Sequence, residues 1–455
     1  MDGRSGKSQR SESVTGIAGD GRFDIDRRQF LSTSAGVSVL SIAGCIGAAI
    51  KGGATDEEHP RFVTPTTTSQ TERPTPVSTP TERPYRTGLG EDTFERLEGI
   101  EVVDGEMQLN DSRNVTGTQC VEFHDPTSDG AWLHVPLREP VDFANARLSC
   151  YLATDGPGAT NLPYVFLWDI DGNAFLLRGV VRSDERLIRT DFGVLGHRDA
   201  DSPADLNRID QVSFRIGSTD ESGVQNAYLD YPTRVEVPDT PSVVFMFDDG
   251  NETDYTEAFP YLSQYDYPAI TYVNTDIIND EGRLSEDQLA DLASGGWLIG
   301  SHTASHENLS ALSDTDAIRR QVAEAKQWLV ERGYTEGAHH FCYPYGGVDE
   351  QALEIVSQFH RTGRVSGIQP IALPSNPQLI PGEGDPELPE VNALLDRAVQ
   401  FGGVVCLFFH NLEEEYRVEF HRIVDEIHRR DQAGDLQVVR FDELEAMAED
   451  AAVSE

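Results

Sequence analysis

Apolar residues are spaced in two different ways along this chain, and the change falls close to Pro241. Between Gly88 and Val237, short runs rich in β-branched and aromatic residues recur between clusters of Gly, Asp and Pro: Ala131 to Leu137, Ala146 to Ala153, Val165 to Ile170, Ala174 to Val180, Val212 to Gly217 and Ala227 to Tyr231. Runs of this length bounded by turn formers predict strands, and their recurrence over residues 89–237 predicts an antiparallel β-sandwich. Asp171-Gly172 separates two of the runs at the spacing of a tight hairpin, whose primed turn needs residues that tolerate positive φ. From Pro241 onward, strand-like runs alternate with helix-like segments, the signature of an α/β layout with a parallel sheet. The runs are Val243 to Phe247, Ala269 to Val273, Trp297 to Gly300, His340 to Tyr343, Arg361 to Val365, Val404 to Phe409 and Leu436 to Arg440, about one fewer than an eightfold barrel requires. One connecting helix is well marked, with Ser313 as its cap, Ile318, Val322, Ala325 and Leu329 on one face, and Gly333 at its end.

Ahead of both regions, Arg27-Arg28 precede an apolar run of small residues, Leu31 to Gly44, that is too short to span a bilayer as a folded helix. Residues 1–45 therefore read as an export signal: the paired arginines resemble a twin-arginine signal, and Ile42-Ala43-Gly44-Cys45 resembles a lipobox in which Cys45 is lipidated. Residues 46–88 form a Thr/Pro-rich linker, too poor in large apolar side chains to offset the entropy of ordering. The expected location is the outer face of the membrane or the extracellular space. There, Cys120 and Cys150 either pair as a disulfide or stay as two buried thiols. The ending Tyr228-Leu229-Asp230-Tyr231 resembles the last strand of jelly-roll, carbohydrate-binding-like modules, so Trp132, Tyr164 and Trp168 are read either as a glycan platform or as core rings.

Charge narrows the function. The chain has 36 Lys and Arg against 78 Asp and Glu, a formal net charge of -42, which repels nucleic acid and anionic lipid alike. Contact with a membrane is left to the N-terminal lipid. Lysine occurs only at Lys7, Lys51 and Lys326, and the acidic excess is spread along the chain, a pattern that resembles proteins of salt-loving organisms.

Candidate chemistry follows the strand-like runs of the C-terminal region. Asp248 and Asp249 come directly after Val243 to Phe247, and Gly250 lets the chain turn so that both carboxylates reach one cavity, where one acid binds a cation and the other takes a proton. An ordinary strand-ending turn accounts for the same three residues. His302 and His306, four apart after the next run, can share one side of a helical turn and offer two imidazoles to zinc, or can be two surface histidines. With Asp249 they make a two-nitrogen, one-oxygen set of the kind that leaves positions open for water and substrate. In Phe341-Cys342-Tyr343-Pro344-Tyr345-Gly346 the proline fixes a turn and leaves the Tyr345 N–H free to meet an oxyanion. His410 ends the run Leu407-Phe408-Phe409, either as an acid–base group or as a satisfied core histidine.

In order and placement these motifs resemble the NodB-type polysaccharide deacetylases, carbohydrate esterases of family 4 with a distorted (β/α)7 barrel, over residues 238–455. The resemblance implies Asp248 as general base, Asp249, His302 and His306 as metal ligands, Tyr345 as oxyanion donor and His410 as general acid. It implies that Leu407 shapes the acetyl pocket and that Tyr343 and Pro344 line the substrate site. The implied cofactor is a divalent metal, zinc first, with cobalt or manganese as alternatives. The implied reaction is removal of N-acetyl groups from an exported or surface polysaccharide, with glycan O-acetyl esterase and inactive glycan-binding lipoprotein as rivals. Two departures stand out. Where many members carry an arginine that pairs with the base, this chain has Cys342, and the later Asp and Trp pocket motif is not evident. Because every implied ligand lies after Pro241, that region is expected to fold and bind metal alone.

Overall fold

The computed structural model describes residues 89–453 apart from 90–93, 96, 98, 125–130, 156–162, 182–185 and 217–225. The export signal, Cys45 and the linker lie outside the described residues. Among the described residues no helix is long and apolar enough to cross a membrane.

The first region forms β1 (Glu101–Asp104), β2 (Glu106–Asn110), β3 (Cys120–His124), β4 (Ala131–Val141), β5 (Ala146–Asp155), β6 (Tyr164–Asp169), β7 (Ala174–Arg178), β8 (Ile188–Asp191), β9 (Gly193–His197), β10 (Ile209–Ile216) and β11 (Asn226–Glu236). They make two antiparallel sheets, ordered β1-β4-β10-β6-β7-β9 and β2-β3-β11-β5-β8. Strand alternation turns Leu133, Val135, Leu167 and Phe214 of the first sheet toward Val121, Phe123, Leu152 and Leu229 of the second, and these side chains share one buried core. The β6–β7 hairpin forms where the spacing predicts, but it turns over Asp169 to Asn173 with only Gly172 at positive φ (86°), so it is not the two-residue primed turn expected at Asp171-Gly172. Cys120 and Cys150 stay free and buried. They lie on β3 and β5, and β11 runs between these strands, which sets them roughly 10 Å apart, beyond the reach of a disulfide. Trp132, Tyr164 and Trp168 lie outside the shared core, half-buried around Phe166; the Trp132 and Trp168 ring centroids are 4.9 and 5.9 Å from that of Phe166, and Arg215 and Arg198 lie over the two indoles.

The second region is a closed barrel of seven parallel strands. In chain order it comprises β12 (Ser242–Phe247), α1 (Phe259–Leu262), β13 (Ala269–Val273), α2 (Glu286–Ser294), β14 (Leu298–Ser301), α3 (Thr315–Glu331), β15 (His340–Cys342), α4 (Glu350–Phe359), β16 (Thr362–Ser366), β17 (Ile380–Gly384), α5 (Leu388–Phe401), β18 (Val404–Phe409), α6 (Glu414–Ala433), β19 (Gln437–Val438) and α7 (Phe441–Val453). Pairing of β12 with both β13 and β18 closes the ring, and β19 only extends the start of β12. The run at Leu436 to Arg440 is thus a two-residue appendage. The seventh barrel strand is β17, Ile-Pro-Gly-Glu-Gly, whose proline and glycines hide it from a reading based on β-branched residues. Helix α3 buries Ile318, Val322, Ala325 and Leu329 as its spacing predicts, but its cap is Asp314, which accepts from the Asp316 N–H, and not Ser313.

Strand alternation separates two apolar layers. Val244, Met246, Cys406 and Phe408 fill the barrel interior, whereas Val243, Phe245, Phe247, Leu407 and Phe409 face outward into a core shared with the helices. Each strand-to-strand link within the ring includes a helix except β16 to β17, where residues 367–379 carry only a 3-10 turn. The two-sheet domain covers that flank: Gly179, Arg189 and Asp191 close a small cavity with Val365, Gly367 and Pro381. The Val194 N–H donates to Pro370 O (2.8 Å), Asp191 accepts from the Ser375 N–H (2.8 Å), and Phe401 packs edge-on against Phe175 at 4.9 Å. A Cβ on Gly193 would stand 2.4 Å from Ile368 O. The barrel therefore lacks one of its outer layers without the first domain. Contrary to the sequence expectation, a chain starting at Pro241 is expected to be insoluble or poorly folded, and Gly193→Val to lower the melting temperature by about 5 °C or more. A cooperative, soluble fragment with an unchanged melting temperature contradicts this.

Candidate active site

Asp248 and His410 leave the barrel side by side, because Phe247 pairs with Phe409 in the parallel ladder and the Asp248 N–H continues it to Phe409 O (2.9 Å). The backbone then turns through left-handed residues, Asp249 at φ 71° and Gly250 at φ 60°, where glycine is needed for both the torsion and the close approach to Val273. Arg283 fixes this turn by donating to Asp249 O (3.0 Å) and Asn251 Oδ1 (2.8 Å).

His302 follows β14, but the stretch to His306 is an irregular loop, not a helical turn, with Thr303 at φ 70° and His306 at φ 61°. The Thr303 hydroxyl accepts the His306 N–H (2.9 Å), and Gln321 of α3 holds the Ser305 N–H (3.0 Å). The two imidazoles converge all the same: His302 Nε2 and His306 Nε2 lie 3.5 and 3.1 Å from Asp249 Oδ1. His302 Nδ1 donates to Cys342 O (2.8 Å), so its Nε2 carries the lone pair toward Asp249. Asp249 Oδ1 is buried and receives no well-aligned hydrogen bond. An orphaned carboxylate oxygen between two imidazole nitrogens fits a divalent cation, and the three ligand atoms lie within 4.8 Å of one another.

Tyr345 sits at φ 59° in the turn after β15; Gly346 and Gly347 donate back to Tyr343 and Pro344 while the Tyr345 N–H makes no such bond. Its ring is exposed and lies 4.6 Å from the His306 ring. Of the eight non-glycine residues at positive φ among the described residues, Asp249, Thr303, His306, Tyr345 and Asp385 all belong to this rim, a concentration of strained backbone typical of functional sites.

Two implied pocket residues are elsewhere. Leu407 is fully buried in the outer core beneath the helices, and Tyr343 packs with Phe341 against the α3 and α4 side, because alternation gives the inward positions to Cys406, Phe408 and Cys342. Pro344 is buried under the turn that it shapes.

Two residues that the sequence reading left unassigned enter the site. Arg364 of β16 forms a buried ion pair with Asp248 Oδ2, so Asp248 does have a guanidinium partner. Burial favours the neutral acid, yet Arg364, His302 and His410 together keep the pKa of Asp248 below its ordinary value. Asp385 follows β17; its carboxylate accepts from the His410 N–H (3.0 Å) and from His410 Nδ1 (2.6 Å). His410 Nε2 is thereby turned to the cleft, 3.9 Å from Asp248 Oδ2. Burial disfavours the imidazolium, but the bond to Asp385 and the charges of Asp248, Asp385 and Asp249 push His410 up to about 9.

Residues 236–363 match the family model described as polysaccharide deacetylase. The matched stretch runs through the first part of the barrel, includes Asp248, Asp249, His302, His306 and Tyr345, and ends one residue before Arg364. Over 136 residues, 30% of this chain and 47% of the relative, the chain is 27% identical to YxkH of Bacillus subtilis, named as a putative polysaccharide deacetylase. It is 25% identical over 130 residues to the poly-β-1,6-N-acetyl-D-glucosamine N-deacetylase of Staphylococcus aureus, covering 44% of that protein. The chain therefore spans less than half the length of these curated relatives. Among solved structures, it is similar to a T48 deacetylase with substrate, at 18% identity and a TM-score of 0.35, over 46% of this chain and 92% of that one. Asp385 and His410 of the barrel lie beyond the matched stretch and are tied to it by strand pairing and hydrogen bonds alone.

Proposed function

We propose that the barrel domain hydrolyses N-acetyl groups on an extracellular or cell-surface polysaccharide of the poly-N-acetylglucosamine kind. The observation that carries this reading is the meeting, at one barrel mouth, of an ionised buried acid, a two-histidine, one-carboxylate set and a carboxylate-held imidazole. When bound by Asp249, His302 and His306, a divalent cation, zinc first, supplies Lewis acidity toward the acetyl carbonyl and the attacking water. Asp248 takes the proton of that water, and the Tyr345 N–H donates to the oxygen on which charge develops. His410, protonated because Asp385 holds Nδ1, gives a proton from Nε2 to the departing amine. The products are acetate and a glycan with a free amino group. Acetate release by the metal-loaded chain from N-acetylglucosamine oligomers, set against O-acetylated xylan, tests the reading; release from the ester alone would favour the O-acetyl esterase.

The setting of the reaction is inferred from the sequence of residues 1–88. We take the chain to be exported and held at the membrane by a lipid on Cys45, because a body with net charge -42 has no attraction to anionic lipid. Cys45→Ser is expected to move the protein from the membrane fraction into the medium. Unchanged retention in the membrane would point to an uncleaved signal.

A further inference from the structure

We infer that Arg364 is the positioning residue of Asp248 and that Cys342 is small because Arg364 occupies its space, so the cation that holds the base is seated one strand away from position 342. This rests on the hydrolase reading above. Cys342 and Arg364 are in-register neighbours on β15 and β16, and both point into the barrel. Their side chains converge on one atom: the thiol of Cys342 lies 3.6 Å from Asp248 Oδ2, and Arg364 Nη2 donates to the same oxygen.

The surroundings of Arg364 are fitted to that task. Its guanidinium carbon lies 3.8 Å above the Phe408 ring, which covers one face of the group. On β17, a Cβ at Gly382 would press on Met246 Cε (3.1 Å) and on the Phe408 ring (3.2 Å) that covers Arg364, and would only touch Arg364 Cδ (3.5 Å). An arginine with a general structural duty spreads its donors over backbone carbonyls, but Arg364 Nε is buried with no partner. The guanidinium is directed at the carboxylate of Asp248. With Oδ2 fixed in this way, Oδ1, buried and without a hydrogen bond in the protein, is the oxygen left to accept a proton. A long side chain at position 342 would have to enter the volume that Arg364 fills, whereas the short thiol leaves room for the guanidinium beside it.

The test is an exchange of seats in the full chain, read by acetate release, metal content and melting temperature. Arg364→Met is expected to lower kcat by at least about thirtyfold with KM and metal content near wild type. Arg364→Lys should keep part of the rate. Cys342→Arg alone should be damaged, because two guanidinium groups then compete for one space. Cys342→Arg combined with Arg364→Ala should recover at least about tenfold over Arg364→Ala. Should Arg364→Met fold poorly, the exchange variant and Arg364→Lys still decide the matter. A second readout needs no activity: the melting temperatures of Asp248→Asn, Arg364→Met and the double variant should be strongly non-additive. Wild-type kcat in Arg364→Met, no recovery in the exchange variant, or additive melting temperatures would each overturn the inference. A metal-loaded wild-type chain that releases no acetate would instead remove the hydrolase reading, leaving the non-additivity to judge the Arg364 assignment.

Discussion

Asp248→Asn is expected to cut acetate release by at least about a hundredfold while the protein keeps its divalent cation. The substitution preserves size and polarity but removes the ability to accept a proton from water at neutral pH. It leaves Asp249, His302 and His306 in place as a ligand set, although His302 also lies within 4.8 Å of Asp248 and Cys342. Asp249→Asn, one residue further on, should fail differently. A neutral amide replaces the one anionic ligand between two imidazoles, so the cation is lost first and excess zinc restores part of the rate. Added zinc should not rescue Asp248→Asn. Metal analysis and acetate release on the same samples separate the two failures; wild-type activity in both variants would make the carboxylates a structural turn, and loss of metal from Asp248→Asn alone would reverse their roles.

Removal of His410 should be nearly as costly, and selectively so. An amide expels a poor leaving group that must be protonated, so His410→Ala is expected to lower N-deacetylation by at least about a hundredfold and ester hydrolysis by much less. Its partner should act through pH. Because His410 is pushed up to about 9, the acid stays protonated through neutral pH and kcat should fall on an alkaline limb near that value. Asp385→Asn removes the acceptor of the Nδ1 proton and a nearby negative charge, both of which stabilise the imidazolium. Its pKa then falls toward the ordinary imidazole value and the alkaline limb moves to lower pH. A pH profile identical to wild type would place Asp385 outside the proton path.

What the sequence made legible follows from what kind of signal each residue leaves. Asp248-Asp249-Gly250 and the pair His302 and His306 are short motifs after strongly apolar strands, so their position at the barrel mouth could be read from order alone. The loop conformation of His302 to His306 could not, because it depends on Thr303 and on Gln321 of a distant helix. Leu407 and Tyr343 were placed in the pocket by motif although alternation along β18 and β15 sends them outward. Arg364 and Asp385 were missed for a different reason. Each reaches its partner across separations of 116 and 25 residues, through strand neighbours that no local pattern reveals, and β17, which delivers Asp385, is masked by proline and glycine. The jelly-roll-like ending of the first domain said nothing of its role as the outer layer of the barrel, since that role arises from the helix missing between β16 and β17.

The most direct test of the central claim is to strip the full chain with a chelator, add back zinc in steps, and follow acetate released from N-acetylglucosamine oligomers. The site of Asp249, His302 and His306 predicts no release from the stripped protein and a rise that saturates at about one cation per chain. Release that persists unchanged in the stripped protein, or none at any zinc level from protein that has taken up the metal, would contradict it.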